Sequence, residues 1–192
     1  MFEAIRAYYR NLVPRLSDDD LAALEECLSV RDIQKGDFLV RAGQVCKCVS
    51  FVNKGLVRLY YTIDGKDISI GFAAAGDYTA EYESFLTRKP AAQNIGALSD
   101  AQVIDLAFDD MQRLYRENPA FQEFGRKIAD FLFISLNQRN TALLALTPED
   151  RYRNMIANNP QLLQQVPQYM LASWIGVTPE HLSRIRKKMS SH

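Results

Sequence analysis

The residues whose chemistry is easiest to read stand near the C-terminus, in the run QYMLASWIGVTPEHLSRIRKK over residues 168–188. Taken as helix, turn and helix, this run puts small Ala172 where two helices cross and Gly176 at a left-handed turn. Ile175, Val177, Leu182 and Ile185 then form the shared core. The second helix exposes Thr178, Glu180, His181, Ser183, Arg184, Lys187 and Lys188. A carboxylate accepts from the amino group of cytosine, and a guanidinium one turn later forks onto a guanine edge, so Glu180 and Arg184 suit a major groove. Lys187 and Lys188 would meet phosphate. Residues 179–188 hold four basic side chains against Glu180 alone, a local +3 in a chain whose 23 basic and 23 acidic residues cancel. The plain alternative is an αα-hairpin in which Glu180 and Arg184 make an i,i+4 pair worth about a few tenths of a kcal/mol. Four core apolars, Ala and Gly in register, together with a basic outer face, favour double-stranded DNA as the partner.

A second constellation is Tyr78, Tyr82 and Phe85 with Glu81 and Glu83. Tyr78, Glu81, Tyr82 and Glu83 are the candidate lining of a small-molecule pocket that would take a cationic or neutral polar ligand. The same residues also read as core and rim of a β-domain. Cys27, Cys46 and Cys48 are too few for an iron-sulfur cluster without other ligands. A Cys-x-Cys pair beside a turn leaves a redox role open, with small buried thiols the default. A metal-dependent β-barrel enzyme needs a histidine-rich centre, yet the two histidines, His181 and His192, fall outside the β-segment. There is no nucleophile elbow, P-loop or dinucleotide fingerprint either. The expectation is no enzyme, no metal and no cofactor.

These side chains need elements to hold them. From Phe2 to about Leu28 apolar residues recur at helical spacing, and Ser17 stands as an N-cap before three aspartates. From Asp32 to about Ala107 short runs rich in β-branched and aromatic residues alternate with Gly, the pattern of a sandwich or barrel. Asp64-Gly65 between Leu56–Thr62 and Asp67–Phe72 marks a tight hairpin. From Asp109 the helical period returns. Phe121, Phe124, Ile128, Phe131, Leu132 and Ser135 make a stripe on a helix of more than 25 residues, which would overhang a small barrel. The stripe either lies on the β-domain or pairs with its copy in a homodimer, and length favours the dimer. Thr147-Pro148 and Thr178-Pro179 each open a further helix.

The division that follows is a β-domain over 1–117, a long dimerisation helix over 118–146 and a helical reading head over 147–192. The 192 residues, 47% apolar, can bury a substantial core. No apolar run approaches the roughly 20 residues that cross a membrane, and the charged N-terminus lacks a secretory pattern. Three cysteines do not make a disulfide framework, so the expected location is the cytoplasm. Residues 147–192 carry six basic and three acidic side chains, which leaves −3 on the rest. The neutral total is a cancellation between two unlike parts.

In this order of parts the sequence resembles the Crp/Fnr family of bacterial transcription regulators. The resemblance rests on Lys35-Gly-Asp37, Asn53-Lys-Gly-Leu-Val-Arg-Leu-Tyr60, Gly76-Asp77 and Pro179-Glu-His-Leu-Ser-Arg-Ile-Arg186, with a short C-terminus similar to Bacteroidetes-type members. It implies an α+β fold: N-terminal helices, a cyclic-nucleotide-binding-like jelly roll, a long dimer helix and a helix-turn-helix. It also implies a homodimer on a near-palindromic DNA site, with RNA polymerase and a small-molecule effector as further partners to consider, and no membrane. Glu180 and Arg184 match the family's recognition-helix pair, whereas Pro179 replaces a basic residue. In the sensor, Ala80-Glu81 stands at the family's Gly-Glu pair and Ala91-Ala92 at its phosphate-binding Arg-Ser. A buried phosphate without a charge partner is costly, so cAMP is not the expected ligand. The competing reading is a sensor or protein-interaction module with a non-functional DNA-binding end.

Overall fold

The computed structural model describes residues 2–190; His192 lies outside them. Two helices open the chain, α1 (Glu3–Leu12) and α2 (Asp18–Glu25). Ser17 caps α2 with a capping box: its hydroxyl accepts from the Asp20 N–H, and the Asp20 carboxylate accepts from the Ser17 N–H. The helical spacing of the sequence runs on to Leu28, but Leu28 already belongs to a strand, because Leu28 and Val30, alternating about exposed Ser29, pack on the core there.

Eight strands follow: β1 (Leu28–Ile33), β2 (Phe38–Val40), β3 (Cys48–Lys54), β4 (Leu56–Ile63), β5 (Lys66–Ala74), β6 (Tyr78–Thr79), β7 (Asn94–Ala97) and β8 (Ala101–Ala107). They form two four-stranded sheets, β1-β8-β3-β6 and β2-β7-β4-β5, with every pairing antiparallel. The Asp64-Gly65 hairpin joins β4 to β5, and both turn residues have positive φ, 50° and 72°. β6 and β7 are two and four residues long and gave no separate signal in the sequence. Between β6 and β7 lies the short helix α3 (Tyr82–Thr87).

Alternation along the strands splits the core. Val52, Val57, Ala73, Ile95 and Val103 meet between the sheets. On the outer face of the first sheet, Phe51, Ile104 and Leu106 pack against α1, α2 and the helices after the sandwich. Those are α4 (Phe108–Glu117) and the 27-residue α5 (Pro119–Ala145), capped by the Asn118 carboxamide. A fold with helices and an antiparallel sandwich is α+β, as the sequence implies.

α5 divides into two halves. Phe121 and Phe124, only 3% and 6% exposed, are buried in the chain's own core; Phe124 stacks on Tyr9 at 3.8 Å between ring centroids. They are therefore not at a dimer surface, which corrects that part of the sequence reading. The stripe was legible, but its N-terminal half already had a partner in α1, whose amphipathic face needed cover. Farther on, helical geometry shows a second face with Phe133 at 74%, Leu136 at 61% and Leu144 at 88% exposure. The chain ends in α6 (Pro148–Asn158), α7 (Leu162–Gln165), α8 (Gln168–Trp174) and α9 (Pro179–Ser190).

Candidate nucleic-acid interface

The α8–α9 unit is built from a helix stop, a turn and a helix start. At the end of α8 the Val177 N–H donates to the Ala172 carbonyl at 3.0 Å and the Gly176 N–H to the Ser173 carbonyl at 3.1 Å. Gly176 has φ +74°, so this is the left-handed stop that a residue without Cβ favours. A Cβ there would also press to 3.3 Å from Leu143. Thr178 then caps α9, its hydroxyl accepting from the His181 N–H, with Pro179 at the first helical position. Ala172 and Leu182 are fully buried where the helices meet, with Leu171, Ile175 and Ile185 around them; Val177 packs on this core half-exposed.

Of the residues singled out for DNA, Thr178, Glu180, Ser183, Arg184, Lys187 and Lys188 are exposed, and His181 is half-buried. Arg186 is exposed as well. Glu180 accepts from its own backbone N–H and from the Thr178 hydroxyl, and these bonds, with a smaller contribution from Arg184, hold its carboxyl below the usual range. Among the described residues no ion pair joins Glu180 to Arg184. The Arg184 guanidinium is thus not tied down by the pair that would make α9 an ordinary surface helix. Lys188 reaches Glu149 of α6 at 3.9 Å, at the limit of an exposed ion pair.

The unit is seated on the sandwich. Ser173 Oγ accepts from the Ser69 N–H at 2.9 Å, and the Trp174 ring meets Phe72 edge-on at 5.4 Å. Beneath them Arg58 is buried on β4, donating to Ser69 Oγ at 2.9 Å and to Asp67 at 3.1 Å, with its ring-facing plane over Tyr60. From the other side Arg151 of α6 donates to the carbonyls of Ile175 and Leu146. The Ser69–Ser173 and Phe72–Trp174 contacts were not foreseen from the sequence, because they join segments about a hundred residues apart through side chains that carry no pattern.

The sensor residues are placed differently from the expectation. Glu81 is fully buried as the N-cap of α3, accepting from the Ser84 N–H at 2.6 Å. Glu83 is exposed. Neither lines the apolar cavity of about 650 Å³ between α5 and the sandwich, although Tyr78 and Tyr82 do. The pocket is therefore aromatic rather than acidic, because Glu81 is used to stop a helix end from fraying. Arg88, three residues before Ala91, is occupied elsewhere. It donates to the carbonyls of Cys46 and Phe85 and lies 4.7 Å over the Phe108 ring. The residue at Ala91 is buried and offers no donor beyond its backbone, which is bonded to Gln44. Burial pushes all three thiols up, so Cys27, Cys46 and Cys48 stand as protonated thiols.

Among the described residues no helix is long and apolar enough to cross a membrane, and no cluster of His, Cys, Asp or Glu could hold a metal ion. Residues 30–118 match the family described as the cyclic nucleotide-binding domain. No curated protein matches the sequence. Among solved structures, FixK2 from Bradyrhizobium japonicum is 13% identical with a TM-score of 0.76, covering 85% of each chain. A structure described as a Crp/Fnr-family transcriptional regulator from Eubacterium rectale is 13% identical with a TM-score of 0.72, over 96% of this chain and 88% of the other. The catabolite activator protein of Thermus thermophilus is 20% identical with a TM-score of 0.59, over 94% and 86%.

Proposed function

We propose, since residues 30–118 match the family described as the cyclic nucleotide-binding domain and the chain shares its fold with solved structures that include a Crp/Fnr-family regulator, that this protein is a homodimeric, DNA-binding transcription regulator and not an enzyme. The observation that carries the reading is α9: a capped helix packed by Leu182 and Ile185 on one side and presenting Glu180, Arg184, Arg186 and Lys188 on the other. Residues 1–117 are the sensor, 118–146 the dimer helix and 147–192 the reading head. The head's Glu180 and Arg184 read base edges; Thr178, Ser183, Lys187 and Lys188 hold the backbone, and His181 borders the groove.

The dimer seam we assign is the exposed side of α5. Phe133, Leu136, Asn140 and Leu143 fall at heptad spacing, and an Asn inside such a seam selects paired helices in one register. Leu132, Phe131 and Ser135 flank it on the side facing the sandwich. Two recognition helices so held would enter successive major grooves about 34 Å apart. Cyclic nucleotides are poor candidates for the effector, because Arg88 is committed to backbone carbonyls and Ala91-Ala92 supply no cation.

Binding to fragments selected from random DNA tests the reading. Arg184→Ala and Glu180→Ala are each expected to cost about 1 to 3 kcal/mol on the preferred site and to relax preference at one position. Lys188→Ala should weaken all sequences alike and lower the salt slope by about one. Unchanged preference in both Arg184→Ala and Glu180→Ala would remove the base-reading roles.

A further inference from the structure

The regulator reading leaves unused a large, partly open cavity between α5 and the sandwich. Its walls come from α1, α4, α5, the β5–β6 edge and, at one end, Trp174 of α8. It therefore touches the sandwich, α5 and the end of α8 on which α9 packs. Glu81, Ala91 and Ala92, the positions matching the family's sugar and phosphate contacts, are not among the lining residues.

Three properties restrict what would fill it. A volume of about 650 Å³ is that of a site for a drug-sized molecule. Among the described residues Asp77 is the one charged side chain in the wall, and no Lys or Arg lines it. An anion would lose its hydration there without gaining a counter-charge, so nucleotides and phosphorylated compounds are excluded by their desolvation cost. The third property is a ring of phenols. Tyr8, Tyr82 and Tyr115 line the space, and among the described residues their hydroxyls make no hydrogen bond with the protein. The Tyr115 hydroxyl lies directly over Gly125 of α5, itself part of the wall, where a Cβ would collide with it. The buried Tyr78 hydroxyl beside Tyr9 also lacks a hydrogen bond of good geometry.

We infer that this cavity binds an uncharged, ring-bearing small molecule with one or two carbonyl or hydroxyl oxygens, held by aromatic contact and by donation from the Tyr115 phenol and its neighbours. Apolar faces of such a molecule meet Ile128, Leu132 and Phe124, and its oxygens satisfy phenols that otherwise have no partner. The occupant's role as an effector rests on the regulator reading, while its binding does not.

The test uses the full chain and 2-naphthol, followed by its own fluorescence, with naphthalene-2-sulfonate as the anionic counterpart. One 2-naphthol per chain should bind saturably, and the sulfonate at least about tenfold more weakly. Tyr115→Phe, which keeps the ring, should weaken 2-naphthol about fivefold. Ile128→Trp, which fills the space, should abolish binding while the far-ultraviolet circular dichroism stays that of the parent. Absence of saturable binding, equal binding of the sulfonate, or binding unaltered in both variants would overturn the proposal. The same samples titrated with DNA separate the two claims. DNA binding without 2-naphthol binding defeats the cavity assignment alone, and 2-naphthol binding without DNA binding defeats the regulator reading alone.

Discussion

Single residues decide most of the chemistry, and several do so by what they are already bonded to. Glu81 has the residue type of a ligand contact but serves as a helix cap, and Arg88 has the charge of a phosphate contact but is spent on two carbonyls. Neither fact is visible in the sequence, since capping by Glu and donation to a distant carbonyl have no fixed spacing. The caps at Ser17, Thr147 and Thr178 were legible, because a hydroxyl followed by acids at Ser17, and by Pro and an acid at Thr147 and Thr178, suits the orphan N–H groups of a helix start. The tyrosines around the cavity give a prediction at this scale. Desolvation pushes the Tyr115 phenol up to about 12, with the Tyr82 phenol adding to it, and burial raises Tyr8, Tyr78 and Tyr82 too. A phenol whose folded value lies above the ordinary value near 10 binds its proton more tightly when folded. The associated stability is complete below about pH 10 and lost as the pH rises toward about 12. Urea unfolding is expected to show lower stability near pH 11 than near pH 9. Equal stability at the two pH values, with the tyrosines ionising in the folded protein at their ordinary pH, would contradict this burial.

At the scale of elements, α5 is where sequence and structure part most instructively. Its length and the stripe from Phe121 to Ser135 were readable, and the helix runs as the spacing requires. Which stripe faces which partner was not, because the helix carries apolar residues on two sides. Phe121 and Phe124 go to the aromatic cluster with Tyr8, Tyr9 and Tyr78. The exposed set of Phe133, Leu136 and Leu144 is what remains for a second chain. A large apolar strip of this kind marks an association surface. Replacing both Phe133 and Leu136 by Glu should leave a folded monomer in sedimentation, since neither residue belongs to a buried cluster of the chain. DNA affinity should fall roughly a hundredfold or more, because each half-site would then bind alone. A double variant that remains dimeric would place the seam elsewhere. The β6 and β7 strands show the opposite limit: at two and four residues they are defined by the neighbours they pair with, not by their own pattern.

For the whole molecule, the neutral formal charge is the sum of −3 over 1–146 and +3 over 147–192. The cationic excess gathers on the exposed face of α9, while the C-terminal unit is tied to the sandwich through Ser173 and Trp174. Two α9 helices presented by a dimer would therefore meet DNA with their charged faces, and a change in the cavity beneath α5 would reach them through short, packed contacts. The most direct measurement is selection of bound fragments from random double-stranded DNA by the full-length protein, with the affinity of the enriched site followed against salt. Two inverted half-sites about 10 base pairs apart centre to centre are expected, together with a log K that falls steeply and linearly with log salt. No enriched sequence, or binding without salt dependence, would contradict the assignment of this protein as a DNA-reading regulator.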